Sequence, residues 1–541
     1  MENYNIAQAL SEVAIKTPER TALLCPTAGR YQGWTFAEIE RHVSAYAHGL
    51  TRVGVVRGDR VILMVRPSLE FICLTFALFR IGAPVILIDP GMGYKNLLRC
   101  IGSVQPDVFI GIPAAHLFRN IFPAPFKTIR IKIMVGTGFG LFGISLRKIA
   151  DFTRGSFLTV DTAKDDLAAI IFTTGSTGPP KGVQYGHGIF QAQLRLIKDY
   201  YGIKPEDVDQ PAFPLFALFT VAMGACAVIP DMNPAHPAKV DPAKFVSSIQ
   251  DYQVTYSFGS PAIWNVISRY CLARKIKLPS LKKILMAGAP VSGELIARVK
   301  GILSADAEIH TPYGATESLP IASLTGTEIL AETWNLTRTG HGTCVGRPLP
   351  GMEIRIITAV DGPISQWSEV RELAGGEIGE IVVKGDVVTR AYDHNDKENL
   401  LAKIIDGDEF WHRIGDVGYL DDNGRLWFCG RKGHRVKTRD KVMDTIPCEA
   451  IFNEHPQVYR SALVGVKDAG NKFEIPVIIF EPYHRVSHPD QLLTELAALA
   501  QGNVLTSSIK HFLMNPAFPV DIRHNAKIFR EKLAVWAAKR I

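Results

Sequence analysis

No Cys-x-x-Cys pair occurs in this 541-residue chain, although it has eight cysteines. Cys25, Cys73, Cys100, Cys226, Cys271, Cys344, Cys429 and Cys448 lie far apart, which argues against a zinc ribbon or a thioredoxin-type redox pair. No stretch reaches the ~18 consecutive apolar residues of a membrane-spanning helix. Residues 131–144 (IKIMVGTGFGLFGI) come nearest, but they are too few and too rich in glycine. They read as a surface loop or buried connection. The flanking Arg130, Arg147 and Lys148 leave open a peripheral membrane contact or an acyl-guiding element. Internal repeats, coiled-coil heptads and low-complexity tracts are absent. The charge is nearly balanced, with 60 basic and 53 acidic residues, so the net +7 is mild for this length. It suits an anionic ligand and gives no reason to expect a nucleic-acid partner. The opening MENYNIAQALSEVAIKTPER does not read as a signal peptide. A cytoplasmic, reducing setting with buried thiols is therefore expected.

Hydrophobic residues make up 47% and charged residues 21%, a composition that can bury a large core and excludes a disordered chain. The length is enough for about three to four domains or subdomains. Residues 60–65 (RVILMV) read as a buried strand, 69–81 as a helix stopped by Gly82, and 83–88 (APVILI) as another strand. Strand, helix and strand in succession predict a parallel α/β architecture. The pattern recurs at 167–172 before a glycine-rich loop, at 254–258 before Gly259, and at 283–286 before Gly288. Ligands of open α/β sheets bind beyond the carboxyl ends of such strands. From about Gly346 the texture changes to short strands (352–357, 379–384, 425–429), which predict an antiparallel β subdomain. From about Gly433, strands at 461–466 and 475–480 with helices at 489–500 and 527–539 predict a small α+β domain.

The strongest local signal is IFTTGSTGPPKG at 171–182. An apolar strand enters a loop dense in Gly, Ser and Thr, whose backbone N–H groups and hydroxyls can cradle an anion. Lys181 adds a point charge suited to phosphate. Gly175 and Gly178 are too close together for a Walker loop.

This loop resembles the phosphate loop of the AMP-forming acyl-adenylating superfamily, and other segments resemble that superfamily's motifs in the same order. They are MAGAPVSGEL at 286–295, TPYGATES at 311–318, VGRPLPGMEIRII at 345–357, GGEIGEIVVKGDVV at 375–388, WHRIGDVGYLDDNGRLWFCGRK at 411–432 and RHNAKIFREKL at 523–533. The resemblance implies an N-terminal domain over 1–432, with parallel α/β subdomains and a β subdomain. It also implies a small mobile α+β domain over 433–541 that turns about a hinge at Arg431, Lys432 and Gly433. It implies ATP and Mg²⁺ as reactants. Thr173, Ser176, Thr177 and Lys181 would hold the β- and γ-phosphates, and Thr316 would donate to the α-phosphate. Glu317 would hold Mg²⁺, a hard cation that favours carboxylate and phosphate oxygen. Tyr313 would pack on adenine opposite Gly288, Ala289 and Pro290. Asp416 and Arg431 would meet the ribose, and Lys527 would catalyse adenylation. His187 is expected to pack or start a helix, and His434 and His524 receive no role.

Three departures stand out. The segment after the hinge, HRVKTRDKVMDTIPCEAIF, has Asp440 where thioester-forming relatives usually place glycine, with a longer path to Glu449. Ala217 in FPLFALF replaces a common histidine, and RHNAKI replaces the usual glycine-rich approach to the lysine. WFCGRKGHRV and PVDIRHNAKIFREKLA resemble the β-lactone synthetases of bacterial long-chain olefin biosynthesis. That branch implies a long-chain β-hydroxy acid substrate and a lactone product without a thiol, with other enzymes of the same pathway as partners. A long-chain fatty-acyl-CoA synthetase or fatty-acyl-AMP ligase is the alternative, and a non-catalytic nucleotide-binding protein is a further one. Phe213, Leu215, Phe216, Phe219, Val221, Met223, Phe258 and Trp264 are candidates to line an acyl pocket, where each buried CH₂ gains ~0.8 kcal/mol.

Overall fold

The computed structural model describes residues 3–27, 29–137, 142–173, 178–467, 470, 472–520 and 528–541. The helix at Leu69–Ile81 illustrates how local sequence sets an element. Ser68 accepts a hydrogen bond from the Phe71 backbone N–H, and Gly82 closes the helix at φ 76°, a left-handed conformation that glycine adopts without steric cost. Nearly every residue between is buried, because the helix lies inside a layered α/β stack.

Among the described residues, two large sheets form the body. One runs in the order Ile144–Ser145, Ile131–Met134, Val108–Gly111, Val61–Met64, Val85–Leu87, Leu167–Phe172 and Gly182–Gly186. Its pairs are parallel except the last, in which Phe172 faces Gly182 antiparallel. Residues 131–134 of the expected loop are thus a strand, lying between Val108–Gly111 and the edge strand Ile144–Ser145. Ile131 and Ile133 share one buried face, and Lys132 between them is exposed on the other.

The other sheet runs from Arg30–Thr35 through Thr21–Thr27, Cys226–Val228 and Val208–Asp209 to parallel strands at Tyr256–Gly259, Lys283–Met286 and Glu308–Ala315. It reverses direction at the next pair, Glu308–Ala315 against Ser318–Thr325. It then continues through Thr343–Pro348, Leu426–Arg431, Glu409–Leu420, Gly379–Lys384 and Glu353–Ile357, all antiparallel. The antiparallel strands expected after 346 are therefore present, and they continue the sheet that contains the parallel strands. Arg413 and Glu380, both almost fully buried, pair across adjacent strands there at 2.7 Å.

Beyond residue 433, Val458–Lys467, Glu474–Pro482 and His511–Met514 make a three-stranded sheet flanked by the helices Pro489–Gln501 and Arg530–Ala537. The last helix begins at Arg530, later than the 527 expected. Contacts with the body include Lys437 to Asp361 at 2.9 Å and Arg338 to Glu454 at 2.8 Å. All eight cysteines are buried free thiols, and burial pushes Cys25 and Cys226 up to about 12.

His187 opens the helix His187–Tyr201 and is buried, with its ring edge-on to Phe79 at 5.8 Å. The expected packing role is what the geometry gives. Burial lowers its imidazole to about 4, so the folded protein holds it neutral while the unfolded chain protonates near 6.5. Between pH 6.5 and 4 the unfolded state binds the extra proton, so stability falls as pH falls, by about 2 kcal/mol at pH 5. His187→Gln should therefore show a smaller drop in apparent Tm from pH 7 to pH 5 than the unaltered protein. An unchanged drop would contradict this assignment.

Candidate active site

The two sheets meet along a line where several loops converge. Strand Leu167–Phe172 leads into the phosphate-loop segment, which returns as Gly182–Gly186. The base of that segment is closed by two bonds: the Thr173 N–H donates to the Lys181 carbonyl at 3.0 Å, and the Lys181 N–H donates to Thr173 Oγ1 at 3.2 Å. Strand Lys283–Met286 ends at Gly288, whose φ of 96° turns the chain. Strand Glu308–Ala315 ends in a two-residue turn, Thr316–Glu317, before Ser318–Thr325 returns. A bulge at Gly314 shapes this hairpin. A Cβ there would stand 2.7 Å from the Ser318 carbonyl oxygen, so the close approach requires glycine.

A cavity of about 1280 Å³ opens at this junction. Ten of the residues singled out from the sequence line it: Thr173, Lys181, Gly288, Ala289, Pro290, Tyr313, Thr316, Glu317, Asp416 and Arg431. Ser176, Thr177, His524 and Lys527 lie outside the described residues.

Each polar group in the cavity is held by specific partners. Asp416 and Arg431 face one another on neighbouring strands, and Arg431 Nη1 reaches Asp416 Oδ1 at 3.0 Å. The Tyr313 hydroxyl donates to the other carboxylate oxygen at 2.5 Å. The Asp416 charge holds the Arg431 guanidinium above its ordinary value, and burial followed by that same charge pushes the Tyr313 phenol up. The residues expected on adenine and on ribose are thus joined in one buried network. Tyr185 donates to the Thr316 carbonyl at 2.5 Å, and Tyr392 donates to Glu317 Oε1 at 2.9 Å. Lys181 pairs with Glu398 and lies 5.1 Å above the Tyr392 ring.

Sequence reasoning missed Tyr185, Tyr392, Glu398 and Lys403. Lys403 donates to the Thr389 carbonyl, and burial lowers its ammonium to about 7 against the opposing pull of Glu317. Nothing local marks these residues, because their partners are brought in by tertiary contact. At the proposed hinge, Lys432 pairs with the buried Glu380 at 2.8 Å, and Gly433 takes an ordinary turn within Lys432–His434. His434 meets Glu531 at 3.1 Å. Glu449, at the end of the atypical segment after the hinge, is buried, and both of its carboxylate oxygens accept from Arg530 at 2.7 Å. The segment between them forms a short hairpin, Val436–Lys437 with Val442–Met443.

The apolar end of the cavity is a ladder of rings. Tyr185 stacks on Phe190 at 5.1 Å, Phe190 meets Phe219 at 6.1 Å, Phe219 meets Phe216 at 5.9 Å, and Phe216 stacks on Phe258 at 3.6 Å. Phe213 and Leu215 also line it. Val221, Met223 and Trp264 do not. They are core side chains on the far faces of their elements, so the apolar run at 213–223 splits between cavity and core.

The chemistry of the donors fits Mg²⁺ brought in with a polyphosphate. Among the described residues no cluster of three His, Cys, Asp or Glu could hold a metal. Glu317 offers one carboxylate, and phosphate oxygens and water would supply the remainder, as Mg²⁺ commonly requires.

Residues 10–393 match the family described as AMP-binding enzyme. The chain is 43% identical over 549 residues to the olefin beta-lactone synthetase of Xanthomonas campestris pv. campestris, covering 99% of this chain and 98% of that one. It is 42% identical over 551 residues to the olefin beta-lactone synthetase of Stenotrophomonas maltophilia, with the same coverage. Its fold matches the amide bond synthetase McbA of Marinactinospora thermotolerans with a TM-score of 0.81 at 21% identity, over 98% of this chain and 99% of that one.

A polyphosphate bound at Lys181 would draw that lysine away from Glu398. This half-buried pair is worth about 1 kcal/mol, so Glu398→Gln should tighten MgATP binding up to about fivefold in a calorimetric titration. Weaker binding would instead mean that Glu398 itself helps hold the metal.

Proposed function

Because the chain belongs to the AMP-binding enzyme family, we propose that it activates a long-chain 2-alkyl-3-hydroxy acid with ATP and closes it to a β-lactone. The observation that carries this reading is the continuity of the cavity. One end holds Lys181, Thr316, Glu317 and the Asp416–Arg431 pair, and the other is the aromatic ladder from Phe190 to Phe258. A carboxyl group with a long alkyl chain fits such a space with its head at the charges and its tail among the rings.

In the first step a carboxylate oxygen bonds to the α-phosphorus of ATP and pyrophosphate leaves with Mg²⁺. Negative charge on the α-phosphoryl oxygens is met by Thr316, and Glu317 would hold the Mg²⁺, which would supply further positive charge there. Thr173, Ser176, Thr177 and Lys181 cradle the outer phosphates. Tyr313, with Gly288, Ala289 and Pro290, borders the adenine, and Asp416 with Arg431 takes the ribose. Lys527 offers a cation where carboxylate and α-phosphate converge, carried by a C-terminal domain (433–541) that turns on the N-terminal one (1–432). In the second step the substrate's own hydroxyl oxygen bonds to the acyl carbon, the acyl–phosphate bond breaks, and AMP leaves, its phosphate taking up the hydroxyl proton. Intramolecular attack avoids the entropy cost of capturing a second molecule, although ring strain offsets part of that gain. The absence of a thiol requirement suits the post-hinge hairpin 436–443, which does not border the cavity.

The buried free thiols suit a reducing cytoplasm. Among the described residues no helix is long and apolar enough to cross a membrane. An apolar lactone is best handed directly to the next enzyme of an olefin pathway, and the basic flanks of 131–144 suit a passing contact with lipid.

The full-length protein, given the acid, ATP and Mg²⁺ without any thiol, should yield a product lighter than the acid by one water, together with AMP and pyrophosphate. Lys527→Ala should abolish nearly all of that product while MgATP binding changes little. Mass spectrometry decides the outcome. A thioester formed on adding CoA, with no lactone before it, would show a fatty-acyl-CoA synthetase instead.

A further inference from the structure

One buried amide lining the cavity has an end that neither the fold nor the proposed first step uses. Gln193 lies on the helix His187–Tyr201 and is only 1% exposed. Phe190 and Ile197, one turn before and one turn after it on the same helix, also line the cavity. A buried amide in the middle of an apolar stripe needs partners for both of its ends. Gln193 Nε2 donates to the Leu319 carbonyl at 2.9 Å, which fixes which end of the amide is which. Its Oε1 is buried and has no hydrogen-bond partner among the described residues.

The place of this free acceptor is informative. Leu319 follows the Thr316–Glu317 turn on the returning strand, so Gln193 is tied to the same hairpin that presents Thr316. Its side chain lies beside the hydroxyl of Tyr185, which donates to the Thr316 carbonyl. Tyr185 also starts the aromatic ladder. Gln193 therefore stands where the charged end of the cavity passes into the apolar end. In a 3-hydroxy acid whose carboxyl carbon sits at the Thr316 turn, the reactive conformer puts the hydroxyl oxygen about 3–3.5 Å from that carbon. This is the boundary that Gln193 occupies. Ser260 also has an unpartnered, buried Oγ in the cavity, but it follows Phe258 at the far end of the ladder.

We propose that Gln193 Oε1 accepts a hydrogen bond from the 3-hydroxyl of the substrate and makes Gln193 the residue that selects hydroxylated acids. This rests on the reading of the cavity as an acyl-adenylating site for β-hydroxy acids. With the hydroxyl proton held by Oε1, an oxygen lone pair is free to face the acyl carbon. The amide oxygen is already buried and unpaired in the free protein, so a hydroxylated acid gains a hydrogen bond there that an acid without the hydroxyl cannot make, and that difference gives the discrimination.

The test uses the full-length protein and two acids of equal length, a 2-alkyl-3-hydroxy acid and the matching 2-alkyl acid. Pyrophosphate release gives kcat/KM for each. The unaltered protein should prefer the hydroxylated acid by about tenfold or more. Gln193→Met should erase that preference by lowering the rate on the hydroxylated acid, with kcat/KM for the other acid within about threefold of the original. Gln193→Glu should restore the preference. A buried carboxyl stays protonated, its O–H can donate to the Leu319 carbonyl, and its C=O remains an acceptor. Equal losses on both acids in Gln193→Met would reduce the residue to a packing role and overturn the proposal. A preference retained in Gln193→Met, or lost in a folded Gln193→Glu, would overturn it as well. No preference in the unaltered protein would overturn the role of Gln193 while leaving adenylation intact. Pyrophosphate release with neither acid would instead defeat the reading of the site, and the inference with it.

Discussion

Two phenol hydroxyls hold the Thr316–Glu317 turn in place, and the site is organised around that restraint. Tyr185 belongs to the last strand of the seven-stranded sheet, while the turn belongs to the other sheet. The bond from Tyr185 to the Thr316 carbonyl therefore ties one sheet to the other at their line of meeting. Tyr392 fixes the carboxylate of Glu317 from a third direction, and the Thr389 N–H donates to the Glu317 carbonyl at 2.9 Å. A turn between two strands would otherwise be among the more mobile parts of a fold. Held from both sides, it can present a hydroxyl and a carboxylate to a phosphate with little reorganisation, which is the condition for strong electrostatic assistance.

The same hairpin explains why polar and apolar chemistry share one space. Its parallel neighbours end at the cavity with Gly288 and Ser260, and its antiparallel neighbours bring in Asp416 and Arg431. The continuous sheet thus carries the Gly288 loop, the turn and the Asp416–Arg431 pair on one framework. The helix His187–Tyr201 crosses this framework and adds Phe190 and Gln193.

Much of this was readable from the sequence because strands that end in Gly, Ser or Pro announce ligand loops. The helix Leu69–Ile81 with Ser68 before it and Gly82 after it, and the strands Leu167–Phe172 and Lys283–Met286, need only local pattern. Residues joined by long-range contact were harder. Glu398 looks like any surface carboxylate of a short helix until the fold puts Lys181 against it. Val221, Met223 and Trp264 share the apolarity of Phe216 and Phe219, and only the direction of each side chain separates core from cavity. Residues 131–134 read as loop because glycines follow them, yet their alternating burial makes a strand. How the β subdomain joins the parallel strands was not legible, because sequence does not show that Thr343–Pro348 pairs with both Ser318–Thr325 and Leu426–Arg431.

The central claim is that the carboxyl group of a fatty acid, and not its hydroxyl, attacks ATP before the ring closes. An acid carrying ¹⁸O in both carboxyl oxygens tests this most directly. If the carboxylate bonds to the α-phosphorus and the hydroxyl then displaces AMP at the acyl carbon, one ¹⁸O must appear in the phosphate of AMP and one must remain in the lactone. AMP free of label, with lactone formed, would mean that the hydroxyl oxygen was adenylated instead and would contradict the account.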